Sequence, residues 1–317
     1  MQPHLQANME QSFLANGKLL LIGEYIVLDG AQSLALPTKF GQNMHVSTFE
    51  AEIEEIVWNA VLVDESTWFS VVFDANTLTI KETTDQKLAF DLQKILQQAT
   101  LQNPTFFLAN QSYRITTKLT YPQQWGLGSS STLVALLAQW MKIDPYVLNQ
   151  KTFRTSGYDI ACAYENKPIF FCNAPEITVT YPQLKWNFYD DLYFVYLNQK
   201  QDTQAAVGKH YRNRPKDRAM INHLSDLVEK LSTAKELDNF EAILDEYQTI
   251  LANFMQLPKV KEERFPEYEG CVKSLGTWGG DFVLVTYRDG MHAYLEEKGY
   301  STILPYNDSV SYTHLRA

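Results

Sequence analysis

The chain has 317 residues with 27 lysines and arginines against 37 aspartates and glutamates, so its formal net charge is −10. This length predicts two domains, and the acidic balance argues against a protein that binds nucleic acid through a basic surface. Three cysteines without a Cys-x-x-Cys pair argue against a disulfide scaffold and a structural zinc site. Because no segment resembles a membrane span or a signal peptide, we expect a cytoplasmic protein that binds no membrane.

The N-terminal half is predicted to be rich in β-strands. Its first apolar run divides into segments 19–22 and 25–28, which predict two strands followed by a hairpin turn at Asp29-Gly30. Beyond them, alternating or β-branched segments predict strands, and apolar residues at helical spacing predict helices. The strands are expected at 43–47, 54–63, 68–73, 113–119 and 169–171, and the helices at 85–101 and 133–140.

A weak stretch with two prolines, residues 175–189, is the predicted domain junction. It gives an N-terminal domain over residues 12–180 and a C-terminal domain over residues 181–306. The last nine residues, SVSYTHLRA, resemble translated adapter sequence, so residues 307–317 are interpreted as a non-native tail; an ordinary terminus is the alternative. In the C-terminal half, strands are expected at 192–197, 282–287, 292–295 and 301–306, and amphipathic helices at 218–231 and 237–254.

The strongest local signal is a glycine- and serine-rich loop, PQQWGLGSSST, which covers residues 122–132 and precedes an apolar helix. Gly126 and Gly128 allow the backbone to turn tightly and to approach a ligand. The N–H groups at the start of a helix form an anion site, and the serine hydroxyls suit phosphate or Mg²⁺. A plain helix N-cap is the alternative, and the missing Gly-Lys-Ser/Thr excludes a Walker A loop.

Two charged positions are candidates for catalysis. Glu24 lies between apolar neighbours, where a charge is costly unless it is paired or functional, and Lys18 precedes it in the same segment. A Lys–Glu pair at a strand edge is the alternative. Asp159, in the string Ser-Gly-Tyr-Asp-Ile-Ala, suits the orientation or deprotonation of a substrate hydroxyl. The alternative for Asp159 is the N-cap of a helix that begins at Ile160.

Two further stretches can each be interpreted as functional or as structural. Gly276, Gly279 and Gly280 come before a strand, which implies that the backbone passes close to a ligand or packs as a tight loop on a neighbouring element. A basic group over residues 209–218 stands out in an acidic chain. It either recruits an anionic substrate or forms a solvated linker.

Taken together, these stretches resemble the GHMP kinase superfamily of small-molecule kinases. The family's first motif matches residues 17–28, its second matches residues 122–131 with Ser131 where alanine is usual, and its third matches residues 275–281 less closely. The motif order is that of the family and spans nearly the whole chain. The string Gly-Tyr-Asp-Ile-Ala at residues 157–161 is similar to the aspartate motif of mevalonate and phosphomevalonate kinases, and it is typical of the GYDIA-type GHMP kinases.

The resemblance implies a two-domain α+β fold, with an N-terminal α/β domain of the ribosomal-protein type and a ferredoxin-like C-terminal domain. It implies ATP and Mg²⁺ as cofactors, with Ser130 as the metal ligand. Lys18 would stabilise the alkoxide or the transferred phosphoryl group, and Asp159 would accept or orient the acceptor's proton. The implied nucleotide-binding residues are Gly126, Leu127, Gly128, Ser129, Ser130, Ser131, Thr132, Glu24, Gly276, Gly279 and Gly280.

The implied activity is transfer of the γ-phosphoryl group of ATP to a small anionic metabolite, with mevalonate or phosphomevalonate as first choice. A diphosphomevalonate decarboxylase-like enzyme and a catalytically silent nucleotide- or metabolite-binding regulator are the alternatives. One departure concerns the metal, because mevalonate kinases usually carry a glutamate ligand shortly before the aspartate motif and residues 145–158 contain no carboxylate. The metal would then keep more water, or Asp144 or Glu24 would replace that ligand.

Overall fold

The computed structural model describes residues 9–199 and 208–311. These residues form two compact units. Unit 1 consists of residues 9–17, 40–123 and 127–164, and unit 2 consists of residues 18–39, 124–126 and the described residues from 165 onward. Helices and strands occur in both units, as expected for an α+β fold. The domain ranges 12–180 and 181–306 stay a prediction.

The strands of the first half of the chain give unit 1 a mixed sheet. They are β1 (Met9–Ile22), β2 (Ser33–Glu50), β3 (Glu55–Val61), β4 (Thr67–Asp74), β5 (Ile80–Thr83) and β6 (Gln111–Leu119). The order in unit 1 is β5-β4-β3-β6-β2, and β1 also pairs with β2. Strands β3 and β6 run parallel, and β2 pairs with β6 in antiparallel register from Gln42 opposite Leu119 to Glu50 opposite Gln111.

Four helices complete unit 1. They are α1 (Gln86–Gln102), α2 (Ser129–Met141), α3 (Pro145–Thr152) and α4 (Tyr158–Tyr164). One face of α1 is buried, including Leu92, Leu96 and Ala99, and Asp85 caps the helix by accepting a hydrogen bond from Leu88 N at 3.0 Å. Apolar side chains of the sheet, such as Val46 and Ile115, pack with Leu96 of α1 and with α2 in one core.

The strands from residue 165 onward are β7 (Ile169–Cys172), β8 (Thr178–Thr180), β9 (Leu192–Tyr196), β10 (Val272–Leu275), β11 (Phe282–Thr286) and β12 (Ile303–Pro305). In unit 2, four of them form an antiparallel sheet in the order β10-β11-β9-β12. Strand β7 pairs with β8 and with the first residues of β2. The helices are α5 (Arg218–Ser232), α6 (Leu237–Met255), α7 (Val260–Arg264), α8 (Met291–Glu297) and α9 (Tyr306–Ser309). Across the described residues, no helix combines the length and the apolar character that crossing a membrane requires.

Two predicted strands are wrong. Residues 25–28 were expected to be extended, but Ile26–Asp29 forms a 3-10 turn, because Gly23 (φ 103°) and Tyr25 (φ 67°) bend the backbone out of the strand. Residues 292–295 lie in α8, which begins after Gly290. The buried side chains of α8, Met291 and Leu295, are four residues apart and therefore share one helix face.

The segment after β12 is packed against unit 2. Val310 is fully buried and forms an isolated β-bridge with Thr38, and the N–H of Ser311 donates to the carbonyl oxygen of Pro37 at 3.0 Å. The part of the predicted tail up to Ser311 is thus packed within unit 2, and the interpretation of residues 307–317 as non-native stays a prediction. Residues 312–317 lie outside the described residues.

Candidate functional site

The predicted site residues occur in both units, and each group is described within its own unit. In unit 1, the loop residues Leu127 and Gly128 lead into α2. Gly128 is the N-cap in a left-handed conformation (φ 96°). The hydroxyl of Ser131 donates to the carbonyl oxygen of Gly128 at 2.8 Å, and that of Thr132 donates to the amide oxygen of Gln42 at 2.8 Å. These two side chains hold the loop in place.

The neighbouring hydroxyls are more accessible. Ser130 is exposed and Ser129 is half-buried, in contrast to the buried Ser131 and Thr132. The first N–H groups of an α-helix have no partner within the helix, so this end of α2 offers backbone donors together with two serine hydroxyls. The arrangement is chemically suited to an anion such as a phosphate group.

A cavity of about 280 Å³ adjoins these serines within unit 1. Its walls include the aromatic rings of Trp58, Trp68 and Phe153, and Ser129 and Ser130 contribute to its lining. Small-molecule pockets are typically apolar clefts with a few polar groups that fix orientation. This cavity has that composition, with apolar and aromatic walls and the polar Ser129 and Ser130 at its lining.

Asp159 is the second residue of α4, which packs on α2 in unit 1. Its Oδ1 accepts hydrogen bonds from the hydroxyl of Thr155 at 3.0 Å and from the N–H of Ile160 at 3.1 Å. The carboxylate is half-buried and is oriented by its own helix start. Asp159 therefore has a fixed side chain, as the orientation of a substrate hydroxyl requires.

In unit 2, Lys18 and Gly126 are in contact. Nζ of Lys18, on β1, donates to the carbonyl oxygen of Gly126 at 3.3 Å. Gly126 has a φ of 69°, and a Cβ at this position would overlap with Oδ2 of Asp281. Only glycine therefore fits without a shift, because the Asp281 carboxylate occupies the space of a side chain. The ammonium of Lys18 and the carboxylate of Asp281 both contact Gly126.

Glu24 is paired, but its partner is not Lys18. Its Oε1 accepts a hydrogen bond from Nζ of Lys273 at 2.5 Å, and these side chains are 2% and 0% exposed, respectively. Burial raises the pKa of the Glu24 carboxyl, and the Lys273 ammonium lowers it in part. Among the described residues, Oε2 of Glu24 has no hydrogen-bond partner. In this conformation the Glu24 side chain is closed off from any nucleotide.

The glycine-rich segment forms the turn between β10 and β11 in unit 2. Gly276 and Gly279 have φ values of 69° and 66°, and a Cβ at either position would meet nothing within 4 Å. The N–H of Gly279 donates to Oγ of Ser274 at 3.1 Å, and that of Gly280 donates to the carbonyl oxygen of Thr277 at 2.9 Å. Gly276 and Gly279 allow the left-handed turn and are open on one side, whereas Thr277 and Gly280 are buried and Trp278 is hydrogen-bonded to Tyr25 and Pro258, so the alternative of packing on a neighbouring element stays open.

The alternative carboxylates for a metal have other partners. Asp144 caps α3 and accepts from the N–H groups of Tyr146 and Val147, and Glu24 pairs with Lys273. No group of three or more histidine, cysteine, aspartate or glutamate side chains that could hold a metal ion occurs in the described part of the chain. The exposed hydroxyl of Ser130 fits a cation that keeps most of its water.

Sequence reasoning missed Lys273, Asp281 and the turn residue Tyr25. One signal for Lys273 was available, since it is the one charged residue in the segment 271–275, as Glu24 is the one charged residue in its own run. Two isolated opposite charges in apolar surroundings can satisfy each other. The role of Asp281 had no local signal, because it depends on a contact with Gly126.

Part of the basic group has structural partners. Lys216 forms an ion pair with Asp29 at 3.4 Å, and Arg214 donates to the carbonyl oxygen of Phe254 at 3.0 Å, near the end of α6. Both contacts lie in unit 2. They favour the linker interpretation for these two residues over the recruitment of an anion.

Comparison with known proteins relates the chain to others through its fold. No protein-family model and no curated protein matches it. Mevalonate kinase from Methanococcus jannaschii has a TM-score of 0.66 at 15% identity, over 94% of this chain and 98% of that chain. Phosphomevalonate kinase from Streptococcus pneumoniae, in complex with phosphomevalonate and AMPPNP, has a TM-score of 0.59 at 15% identity over 92% and 95%.

A third similar structure is galactokinase from Lactococcus lactis in complex with galactose, with a TM-score of 0.60 at 13% identity over 97% of this chain and 96% of that chain. Sequence identities this low support a shared fold but do not establish a shared activity. The similarity nevertheless covers nearly the full length of each protein. The chain therefore has the two-domain α+β fold of the GHMP kinases.

Proposed function

We propose that the protein is an ATP-dependent kinase that transfers the γ-phosphoryl group to a small anionic metabolite, with mevalonate and phosphomevalonate as the first candidates. The observation that carries the proposal is the start of α2. There, Gly128 turns the backbone into the helix, Ser131 and Thr132 stabilise that turn, and an aromatic-lined cavity adjoins Ser129 and Ser130. A loop that binds phosphate beside a pocket for a ring is the combination that a nucleotide needs.

The nucleotide binds with its base in the cavity and its phosphates at the start of α2. Trp58 and Trp68 supply flat apolar surfaces for a base, while the helix dipole and backbone N–H groups favour the phosphate charge. Mg²⁺, held by Ser130 and water, neutralises charge on the phosphates when it is bound. An AMPPNP-bound phosphomevalonate kinase with the same fold supports ATP as the donor.

Lys18 and Asp159 provide the chemistry of transfer. The Lys18 ammonium, fixed by its hydrogen bond to Gly126, stabilises negative charge on the transferred phosphoryl group. The Asp159 carboxylate, fixed by Thr155 and the Ile160 N–H, orients the acceptor and takes the proton of a hydroxyl acceptor. An acceptor phosphate is already ionised at neutral pH, so Asp159 matters more for mevalonate than for phosphomevalonate.

The test is ADP formation from Mg-ATP with a panel of acceptors: mevalonate, phosphomevalonate, diphosphomevalonate, homoserine and galactose. Asp159→Asn should lower turnover of a hydroxyl acceptor by about 10²–10⁴-fold, as loss of a general base does. Asp144→Asn is the matched control, because it removes a carboxylate of unit 1 while keeping a good N-cap residue. It should leave turnover unchanged.

Other outcomes of this experiment would favour one of the alternative functions. Release of carbon dioxide with ADP would identify the decarboxylase-like enzyme. ATP binding without turnover of any acceptor would contradict the kinase and favour the silent regulator. Binding is measured through tryptophan fluorescence, with Trp68→Phe to show that the change comes from the cavity.

A further inference from the structure

Tyr25 has a backbone conformation that is rare for a bulky residue. Its φ of 67° and ψ of −54°, with a hydrogen bond from Ile26 N to the carbonyl oxygen of Glu24 at 2.9 Å, define a strained γ-turn. Such conformations persist where the surroundings fix them, and they cluster at functional sites. This turn follows directly after the strand that carries Lys18.

Contacts on both sides hold this turn. The hydroxyl of Tyr247 donates to the carbonyl oxygen of Glu24 at 3.0 Å, and the Glu24 carboxylate pairs with Lys273. The Tyr25 ring, 4% exposed, lies 5.3 Å from the ring of Tyr211. The strained turn is therefore fixed within the interior of unit 2.

The phenol oxygen of Tyr25 reaches the glycine-rich turn. It accepts a hydrogen bond from the N–H of Trp278 at 2.9 Å, in the middle of the segment from Gly276 to Gly280. A Cβ at Gly276 or Gly279 would meet nothing within 4 Å, so one side of the segment is open there, while the Trp278 side chain is held by a hydrogen bond from Nε1 to the carbonyl oxygen of Pro258 at 2.8 Å. The bond from the Trp278 backbone N–H to Tyr25 is a specific restraint on the segment.

Within unit 2, a series of contacts leads from Tyr25 through the glycine-rich turn and Gly126 to Lys18. Trp278 is bound by Tyr25 and lies three residues before Asp281, whose carboxylate packs on Gly126. The carbonyl oxygen of Gly126 accepts from Lys18, which belongs to the same segment as Tyr25. A change at Tyr25 therefore acts on the groups around Lys18 through the glycine-rich turn.

We propose that Tyr25 is a positioning residue for phosphoryl transfer: by accepting the Trp278 N–H, it sets the glycine-rich turn and places Asp281 against Gly126 beside Lys18. The inference rests on the proposed function and adds a residue to it. Tyr25 touches neither nucleotide nor acceptor in this role. Its effect reaches the transition state through the position of the Lys18 ammonium.

The test compares Tyr25→Phe with Tyr268→Phe. Both variants lose a buried phenol oxygen of unit 2, since the Tyr268 hydroxyl donates to the carbonyl oxygen of Thr286 at 2.6 Å, at the opposite end of the β10–β11 hairpin. Tyr25→Phe keeps the ring and so keeps its packing on Tyr211. The two variants should melt at similar temperatures.

Two measurements separate positioning from a merely structural role. Tyr25→Phe should lower kcat about tenfold with the KM for ATP within about twofold, whereas Tyr268→Phe should leave both near wild type. By NMR, the Trp278 amide hydrogen should exchange at least about tenfold faster in Tyr25→Phe and at the wild-type rate in Tyr268→Phe. Both results together support the proposal.

Three outcomes would overturn it: an unchanged kcat in Tyr25→Phe, an equal loss in Tyr268→Phe, or an unchanged exchange rate at Trp278. If the wild-type protein turns over no acceptor, the proposed function fails while the exchange experiment still decides on the restraint. Unchanged exchange then rejects the role of Tyr25, and faster exchange retains it as the residue that sets the turn.

Discussion

Lys18 donates a hydrogen bond from Nζ to the carbonyl oxygen of Gly126, 3.3 Å away. A lysine side chain has many rotamers, and a fixed ammonium is more useful to a reaction than a mobile one. The bond gives Lys18 a defined position next to the residue that begins the Gly-Leu-Gly sequence. The contact of Asp281 with Gly126 adds an opposite charge to the same place.

Gly126→Ala should destabilise the protein more than Gly276→Ala. Both glycines have a φ of 69°, so the backbone cost of alanine, about 1–3 kcal/mol, is shared by the two variants. Only Gly126 has a neighbour in the way, since its Cβ would overlap with Oδ2 of Asp281. Gly126→Ala should therefore lose about 1–3 kcal/mol more unfolding free energy than Gly276→Ala, as measured by urea denaturation. Equal losses would contradict the contact.

Lys18→Met should lower kcat by about 10²–10³-fold, the usual loss when one group that stabilises transition-state charge is removed. Methionine keeps much of the length of the side chain but lacks the charge and the donor for Gly126. Lys39→Met is the control, because Lys39 is exposed and donates to the carbonyl oxygen of Asn307. Steady-state kinetics on both variants checks the prediction, and an active Lys18→Met would remove Lys18 from the mechanism.

The buried pair of Glu24 and Lys273 should tolerate loss of both charges better than loss of one. Glu24→Gln and Lys273→Met each leave an unpaired buried charge, so each should lose about 3–5 kcal/mol of unfolding free energy at pH 7. The double variant should recover most of that loss. Asp245→Asn, in the more exposed pair with Lys259, should lose less than about 1 kcal/mol. Urea denaturation of all four variants measures the differences, and additive losses in the double variant would refute the pairing.

Stability of Lys273→Met should also depend on pH in a specific direction. Burial raises the pKa of Glu24 above the ordinary value of 4.5, and Lys273 lowers it in part, so the variant carboxyl has a still higher pKa. A raised pKa means that the folded state binds more protons, so unfolding free energy falls as pH rises from 4.5 through the folded-state pKa. The loss of unfolding free energy in Lys273→Met relative to wild type should therefore grow from pH 4.5 to pH 8. The Glu24→Gln/Lys273→Met double variant should lack this trend, and a constant loss would contradict the prediction.

Thiol labelling gives a test of the fold that is independent of activity. Cys162 and Cys271 are buried, and burial raises the pKa of the Cys271 thiol to about 12, whereas Cys172 is half-buried. In the folded protein a disulfide reagent should therefore modify Cys172 first, and all three cysteines should react after unfolding. Cys172→Ser should abolish the first phase. Any rapid labelling phase in folded Cys172→Ser would show that Cys162 or Cys271 is accessible.

Local patterns predicted much of the fold. The period of apolar residues in α1 and the cap at Asp85 identify that helix, because both signals lie within the segment itself. The same approach failed for residues 25–28, which are as apolar as a strand. There, the backbone of Tyr25 is fixed by residues far along the chain, among them Trp278 and Tyr247.

In the candidate site, too, the sequence predicted the local motifs but not the contacts between distant residues. The loop before α2 and the string around Asp159 are short motifs, and the sequence alone singles them out. For Glu24 the sequence predicted a charge that must be paired or functional, but its partner Lys273 lies 249 residues away. The dependence of Gly126 on Asp281 is likewise a long-range contact. Local spacing carries no information on which distant residues meet.

The bridge between Thr38 and Val310 has a consequence for folding on the ribosome. All residues of unit 1 precede position 165, so its core can assemble while the rest of the chain is still being synthesised. Residues 18–39 belong to unit 2, yet Val310, which covers Thr38, is translated after all of unit 1. Nascent β2 therefore keeps an uncovered edge at Thr38 until Val310 has been synthesised, a period in which chaperones have the opportunity to bind it.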